Sequence, residues 1–132
     1  MPRAQWSLHL DQPIIEVNLA LAQGGQTVLR RLLADTGAGT ANAGFELLMD
    51  VHDCLLCGGT PTQPVVLGGA YSGTFPIYLV RVQLPLLSFD RFLPVVGVPG
   101  NPHGLDGIAC FRFLNQFTYG NFGDPRQFGL EV

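Results

Sequence analysis

The chain contains no lysine. Its seven basic residues are all arginine, and only Arg30 and Arg31 are adjacent. Charged residues make up 13% of the 132 residues, against roughly 25% in an ordinary soluble domain. With a net charge of −3 and no basic stripe, the chain lacks the electrostatic footprint of a nucleic-acid binder. Long apolar runs are missing as well, and none approaches the roughly 18 residues of a membrane span. Met1-Pro2-Arg3-Ala4-Gln5-Trp6 carries no long apolar stretch after its charge, so no signal peptide is legible. Three cysteines are too few, and odd in number, for a disulfide scaffold. These absences set the expectation of a cytoplasmic, reducing compartment, with neither membrane nor nucleic acid as partner.

Hydrophobic residues, at 47%, are plentiful, as are glycine (17) and proline (10). Glycine and proline fall between apolar runs, which describes turns rather than disorder. A chain of this length forms one domain with a real core. Its shortage of surface charge suggests that part of the surface is covered by another chain.

Ile15, Val17, Leu19 and Leu21 alternate with Glu16, Asn18 and Ala20, the period of a strand. Gln23-Gly24-Gly25-Gln26 is a hairpin turn, and Thr27–Ala34 reads as the returning strand. Asp35 therefore stands where a strand ends. Phe45–Asp50 fits either a strand or a helical turn, and 52–63 reads as irregular. Pro64–Leu67 and Thr74–Leu84 form a long hairpin around the glycine-rich tip Gly68-Gly69-Ala70-Tyr71-Ser72-Gly73. Phe92–Val98 is a further strand, Pro99–Gly104 a loop, and 108–117 the best helix, with Ile108, Phe111 and Leu114 at helical spacing. Gln127–Val132 is a terminal strand. The expected architecture has about seven strands and one helix, a single mainly-β domain spanning 1–132.

Asp35-Thr36-Gly37 alone is a weak signal, since the tripeptide is also a reasonable turn. Its setting makes it informative. An apolar strand, Leu32-Leu33-Ala34, delivers a carboxylate, and nearly side-chain-free residues follow it. That arrangement suits a carboxylate acting on a bound water. Hydrolysis by carboxylates alone needs two of them sharing one proton, because like charges that close cannot both ionise. The chain has one such tripeptide and is too short for two lobes, so the second carboxylate must come from a second copy across a two-fold axis.

The order of parts from about Pro13 to Val132 resembles the retropepsin family, the single-lobe aspartic proteases. The resemblance rests on the Gly24-Gly25 turn, Leu32-Leu33-Ala34-Asp35-Thr36-Gly37-Ala38, the glycine-rich hairpin at 64–83, Leu93–Val98, and Asp106-Gly107-Ile108 leading into Phe113-Leu114-Asn115. It implies a retropepsin-like closed β-barrel with a short C-terminal helix and a flap hairpin. It implies a homodimeric aspartic endopeptidase with Asp35 catalytic and a peptide or protein as substrate. Thr36 would hydrogen-bond across the dimer, and Gly37 and Ala38 would shape the floor. The flap residues Gly68, Gly69, Ala70, Tyr71, Ser72 and Gly73 would close over substrate, with further pocket residues from the strand near Val95–Val98. Terminal strands near Trp6–Leu10 and Phe128–Val132 would pair between subunits. No metal and no cofactor is implied. The chain departs from the family at Cys110, where glycine is usual, and in its flap tip, where Tyr71 is loosely similar to the flap tyrosine of pepsin-like enzymes. A side chain at 110 would crowd the packing beneath the active loop.

Other signals are weaker. Cys54-Leu55-Leu56-Cys57 beside His52 and Asp53 lacks the second cysteine pair of a zinc site, and reads as a loop with partly buried thiols or a local disulfide. Gly37-Ala38-Gly39 fails the dinucleotide fingerprint because Asn42 occupies its third glycine position. Ser72 has no nucleophile elbow. His9, His52 and His103 fall in unrelated segments, and Asp106 reads as a turn or helix-entry residue. Two alternatives stand beside the peptidase: a catalytically weak or inactive peptide-binding module of the same fold, and a processing domain acting only on its own precursor.

Overall fold

Residues 2–100 and 104–132 are described by the structure, a computed structural model. Of the expected 99–104 loop, Asn101, Pro102 and His103 lie outside the described residues. The expected first hairpin forms from β2 (Ile14–Ala20) and β3 (Thr27–Ala34), with Ile14 opposite Leu33 and Ala20 opposite Thr27. The connecting loop is closed by the Leu21 N–H donating to the Gln26 carbonyl at 2.8 Å, and within it Gly24 and Gly25 take φ of 74° and 61°, left-handed backbone that glycine adopts without steric cost. β4 (Leu47–Asp50) resolves the ambiguous segment as a strand. β5 (Pro61–Leu67) and β6 (Gly73–Leu84) make the long hairpin, Leu67 pairing with Gly73, and β7 (Phe89–Val98) runs antiparallel to β6.

β8 (Gly107–Ala109) slips between β3, to which it is parallel, and β4, to which it is antiparallel. The order is β2-β3-β8-β4-β7-β6, and β2 also pairs with β6 through Asn18 and Gln83. Six strands thus close into a barrel, with β5 outside the ring on β6. The protein is mainly β, with few and short helices. No helix among the described residues is long and apolar enough to cross a membrane.

Several sequence expectations are corrected. The helix expected over 108–117 shrinks to α2 (Phe111–Leu114), because Ile108 belongs to β8 and Cys110 is still extended at φ −86°, ψ 171°. The i, i+3, i+6 spacing there reflects a buried strand running into a single helical turn. The segment 52–63, expected irregular, opens with α1 (Val51–Leu56), whose first turn is capped by Asp50 accepting from the His52 N–H, and ends inside β5. The terminal strands are β1 (Arg3–Ser7) and β10 (Gln127–Glu131), and they pair with each other within the chain. β9 (Thr118–Gly120), which the sequence did not suggest, covers the other edge of β10. The described residues hold ten strands and two α-helices instead of about seven and one.

Alternation along the strands divides the buried residues into two groups. Ile15, Val17, Leu19, Leu32, Leu47, Met49, Val80, Val82, Leu93, Val95 and Ala109 belong to one cluster, the barrel interior. Ile14, Leu33, Leu48, Val96, Val98, Ile108 and Cys110 point the other way and form a second cluster with Phe45 and Leu105. β4, β8, the Leu32–Ala34 end of β3 and the Val95–Val98 end of β7 are therefore apolar on both faces, as segments buried on both sides must be. α1 is pinned to the barrel by a two-pronged ion pair: Arg30 Nε donates to Asp53 Oδ2 at 2.8 Å and Nη2 to Oδ1 at 3.0 Å. Asp53 is 9% exposed, so the guanidinium fork compensates a carboxylate taken out of water.

The β8 insertion leaves no room at Gly107. A Cβ there would collide with the Leu48 carbonyl oxygen and come within 3.1 Å of Leu32 Cδ2 and Met49 Cγ. Gly107→Ala is expected to destabilise the fold by about 3 kcal/mol, the upper end of overpacking costs. Gly68→Ala, with nothing within 4 Å, is expected to change stability by less than about 0.5 kcal/mol. Urea denaturation of the two variants checks the contrast, and equal midpoints would refute it.

Candidate active site

Asp35 follows directly on β3 and is placed by β8. Its backbone N–H donates to the Ala109 carbonyl at 3.0 Å, continuing the β3–β8 ladder by one bond. The chain then turns sharply. The Gly37 N–H donates to Asp35 Oδ1 at 2.9 Å, and the Ala38 N–H to the Asp35 carbonyl at 3.2 Å. The carboxylate is half-buried and aimed by a backbone donor, which leaves its second oxygen available to a reactant. A Cβ at Gly37 would lie 3.3 Å from Asp35 Oδ1, so glycine keeps the space beside the carboxylate clear.

Asp35 stands at the floor of a cleft of about 770 Å³. The second apolar cluster forms its base through Leu48, Ile108 and Cys110. Gly37, Ala38, Gly39 and Phe45 form one wall. The β5–β6 hairpin supplies the other through Val66, Leu67, Gly68, Gly69 and Tyr71. Tyr71 is half-buried, and loss of water around its phenol raises its pKa. Among the described residues lining the cleft, Asp35 is the sole acid, and no histidine or lysine joins it.

The wall from Ala38 to Glu46 is held by α2 and its cap. The Phe111 N–H donates to the Ala38 carbonyl at 2.9 Å, the Cys110 N–H to the Glu46 carbonyl at 3.0 Å, and Arg112 Nη1 to the Ala43 carbonyl at 2.8 Å. The Glu46 carboxylate is 6% exposed; Gln116 Nε2 donates to it, and Arg112 Nη2 lies 3.9 Å away. A buried acid answered by an arginine and an amide is a structural tie, and it points away from the cleft chemistry.

The structure brings together Asp35, Gly37 and Ala38 with Gly68, Gly69 and Tyr71 of the hairpin tip. Ala70 lies in the same 3-10 turn, Gly69–Tyr71. Ser72 is exposed, its hydroxyl donating to the Gly69 carbonyl at 3.2 Å, and Gly73 opens β6; neither lines the cleft. Thr36 is exposed beside the cleft, outside its lining. The strand near Val95–Val98, expected to line the pocket, lies one layer beneath it: Val96 and Val98 are fully buried in the cluster that Leu48 and Ile108 cover. Phe45, Leu48 and Ile108 were missed. Their signal was present in the doubly apolar strands, where Leu48 must face away from Leu47 and Met49.

Cys110 causes no crowding. Its extended backbone suits any residue, and its side chain is 1% exposed, with Sγ 3.9 Å from the Ile108 carbonyl. Burial, aided by the charge of Asp35, pushes its thiol up to about 12. A thiol that stays protonated and has no histidine beside it cannot serve as a nucleophile. Cys54 and Cys57 are free and sit on and just after α1, away from the cleft, instead of in a loop. Burial raises them to about 12 and about 11. Among the described residues no cluster of three potential metal ligands occurs. Asp106 is a turn residue entering β8: its carboxylate accepts from the Arg31 N–H at 2.9 Å. His52 is exposed and His9 half-buried, both outside the cleft.

No family model matches the chain, and neither a curated protein nor a solved structure is significantly similar to it.

The three thiols carry a pH dependence. Each has a folded pKa above its ordinary value of 9.0, so the stability from keeping it neutral is fully present below about pH 9 and is lost as pH rises toward 12. Unfolding free energy measured by chemical denaturation is expected to fall steadily over that window, and less steeply in Cys110→Ala. A flat alkaline limb, or identical slopes, would contradict this account.

Proposed function

We propose that the chain is a retropepsin-like aspartic endopeptidase that works as a homodimer, each subunit contributing one Asp35. The observation that carries the reading is a single, backbone-oriented carboxylate lining an apolar cleft, one wall of which is a glycine-rich hairpin. One carboxylate at the end of a strand is half of a water-activating pair, and the exposed Thr36 and Gly37 leave that face accessible to a second copy. The closed barrel, the β5–β6 hairpin and the α2 turn after β8 are in keeping with the same family reading.

In the dimer the two Asp35 carboxyls share one proton and hold a water between them. The ionised partner takes a proton from that water as its oxygen attacks the scissile carbonyl carbon. The protonated partner donates its hydrogen to the carbonyl oxygen, giving a gem-diol. Collapse of the gem-diol breaks the C–N bond as the leaving nitrogen receives a proton, and the other carboxyl takes one from a diol hydroxyl, which restores the starting state. The cleft's apolar base would bury the side chains beside the scissile bond. The hairpin would align the peptide as an extended strand and exclude bulk water.

The test is Asp35→Asn assayed on a peptide library. Cleavage is expected to fall by at least about a hundredfold, the scale of general acid–base contributions. The wild-type rate is expected to follow a bell in pH, belonging to the pair rather than to either residue. Undiminished cleavage by Asp35→Asn would refute the reading. Tight peptide binding by the wild type without any cleavage would instead identify a binding module.

A further inference from the structure

The sheets of the described residues end in β5, β9 and β1, and the three edges are not alike. β5 carries Pro61 and Pro64, which have no N–H to offer an added strand. β9 is three residues long. β1 has five residues, no proline and no strand on the side away from β10. The hydrogen bonds to β10 say which groups lie on that side. The Leu8 N–H donates to the Arg126 carbonyl at 3.0 Å, and the Val132 N–H to the Pro2 carbonyl at 3.1 Å. Antiparallel pairs alternate between bonded and non-bonded, so Pro2, Ala4, Trp6 and Leu8 turn their backbone groups to β10. Arg3, Gln5 and Ser7 turn theirs the other way, where no backbone partner meets them among the described residues.

That side opens on a groove. One hollow of about 390 Å³ is lined by the consecutive residues 5 to 9, with Ile14, Glu16 and Arg31 opposite. Neighbours along a strand point their side chains to opposite faces, so Gln5, Trp6 and Ser7 can all border one hollow only along the strand's edge. A second hollow, of about 250 Å³, shares Trp6 and Glu16 with the first and adds Ala4, Leu29 and Leu86. Leu29 is 53% exposed and Leu86 73%. The floor is the outer face of β2 and β3, on which Leu29 and Arg31 stand two residues apart. Arg31 Nε donates to Glu16 Oε2 at 3.2 Å, and its two terminal nitrogens have no partner among the described residues.

We infer that the free edge of β1 docks an extended segment of a partner protein as an added strand, with an apolar side chain in the Leu29–Leu86 hollow and a carboxylate two residues away on Arg31. The unpaired backbone groups of Arg3, Gln5 and Ser7 supply the ladder, and the hollows select the side chains. Alternate residues of an added strand lie about 6.6 Å apart on one face, the spacing at which β3 presents Leu29 and Arg31. The charge follows from the guanidinium: Glu16 is engaged through Nε, and the open pair of terminal nitrogens suits a second carboxylate. The groove shares no lining residue with the Asp35 cleft, so the site stands or falls independently of the peptidase reading.

The test titrates the capped peptide Thr-Val-Thr-Leu-Thr-Glu-Thr into the isotope-labelled full chain, followed by NMR and calorimetry. The amide signals of Arg3, Gln5 and Ser7 are expected to shift, and their hydrogen exchange to slow at least about tenfold at saturation. Gln5→Pro removes an N–H that faces solvent, so it is expected to fold as the wild type does and to bind at least about tenfold more weakly. Replacing the peptide's Glu by Gln, or making Arg31→Gln, is expected to weaken binding about threefold, the scale of an exposed ion pair. Of two peptides N-methylated on alternate residues, one is expected to keep binding and the other to lose it, because an added strand offers β1 every second amide. That pair decides the question on the wild type whether or not Gln5→Pro folds. Equal binding by both methylated peptides or equal loss in both, unchanged binding to a folded Gln5→Pro, or shifts confined to the Asp35 cleft would overturn the proposal. So would no binding at millimolar peptide, or a wild type that dimerises through β1 and is not displaced by the peptide, since the edge would then belong to a second copy.

Discussion

Three residues, Gly107–Ala109, hold the barrel and the site in one piece. Strand β8 bonds to β3 on one side and β4 on the other, so the ring closes only if this short segment is seated. The ladder that seats it also supplies the acceptor for the Asp35 N–H. Ring closure and placement of the carboxylate are therefore one structural event. The same segment sends Ala109 into the barrel and Ile108 toward the cleft, and its next residue, Cys110, bonds to Glu46 and starts the turn that ties down the cleft wall. Gly107 has no alternative residue because the Leu48 carbonyl occupies the space a side chain would need.

From that wedge follows the double core. Strands feeding a single core would show their outer faces to water and alternate in polarity. Here β4, β8 and the adjoining ends of β3 and β7 bury both faces, the inner in the barrel and the outer in a second cluster that lines the cleft. The second cluster is the one left partly open, and the opening is the cleft itself. Its base of Leu48, Ile108 and Cys110 is structural packing whose upper surface is free to meet a ligand. The dielectric around Asp35 is consequently set by residues that the fold needs in any case, and the neutral thiol of Cys110 adds no charge to compete with it.

The legibility of the sequence tracks this division. Strands with one polar face were readable: Ile15, Val17 and Leu19 against Glu16 and Asn18 gave β2, and Gly24-Gly25 gave its turn. The place of Asp35 at a strand end was readable because an apolar strand, a carboxylate and small residues after it coincide within seven positions. Doubly buried segments were not. Phe45–Asp50 stayed ambiguous because a strand apolar on both faces has no period. Ile108 was drawn into a helix because a three-residue strand followed by one helical turn imitates helical spacing. α1 was missed because its capping signal, Asp50 to His52, lay beside glycines and a proline that suggest a loop. The relocation of the expected pocket strand, Val95–Val98, to the layer beneath has the same origin: alternation says which residues share a face, and only closure of the barrel says which face looks into the cleft.

A single lobe with one carboxylate also constrains its own surface. On the two-chain proposal the cleft and the rim around Asp35 remain uncovered in the separate chain, and uncovered apolar surface is a cost in solubility. The chain limits that cost by placing little else of its apolar surface there. Thr36, Gly37 and Gly39 are small or polar, and the hairpin tip is mostly glycine. The larger side chains lining the cleft are then few, with Phe45, Leu48, Ile108 and Tyr71 chief among them. On the proposed two-chain reading, symmetry repeats every such contact on the far side of the shared site, which is how a surface this economical gains strength.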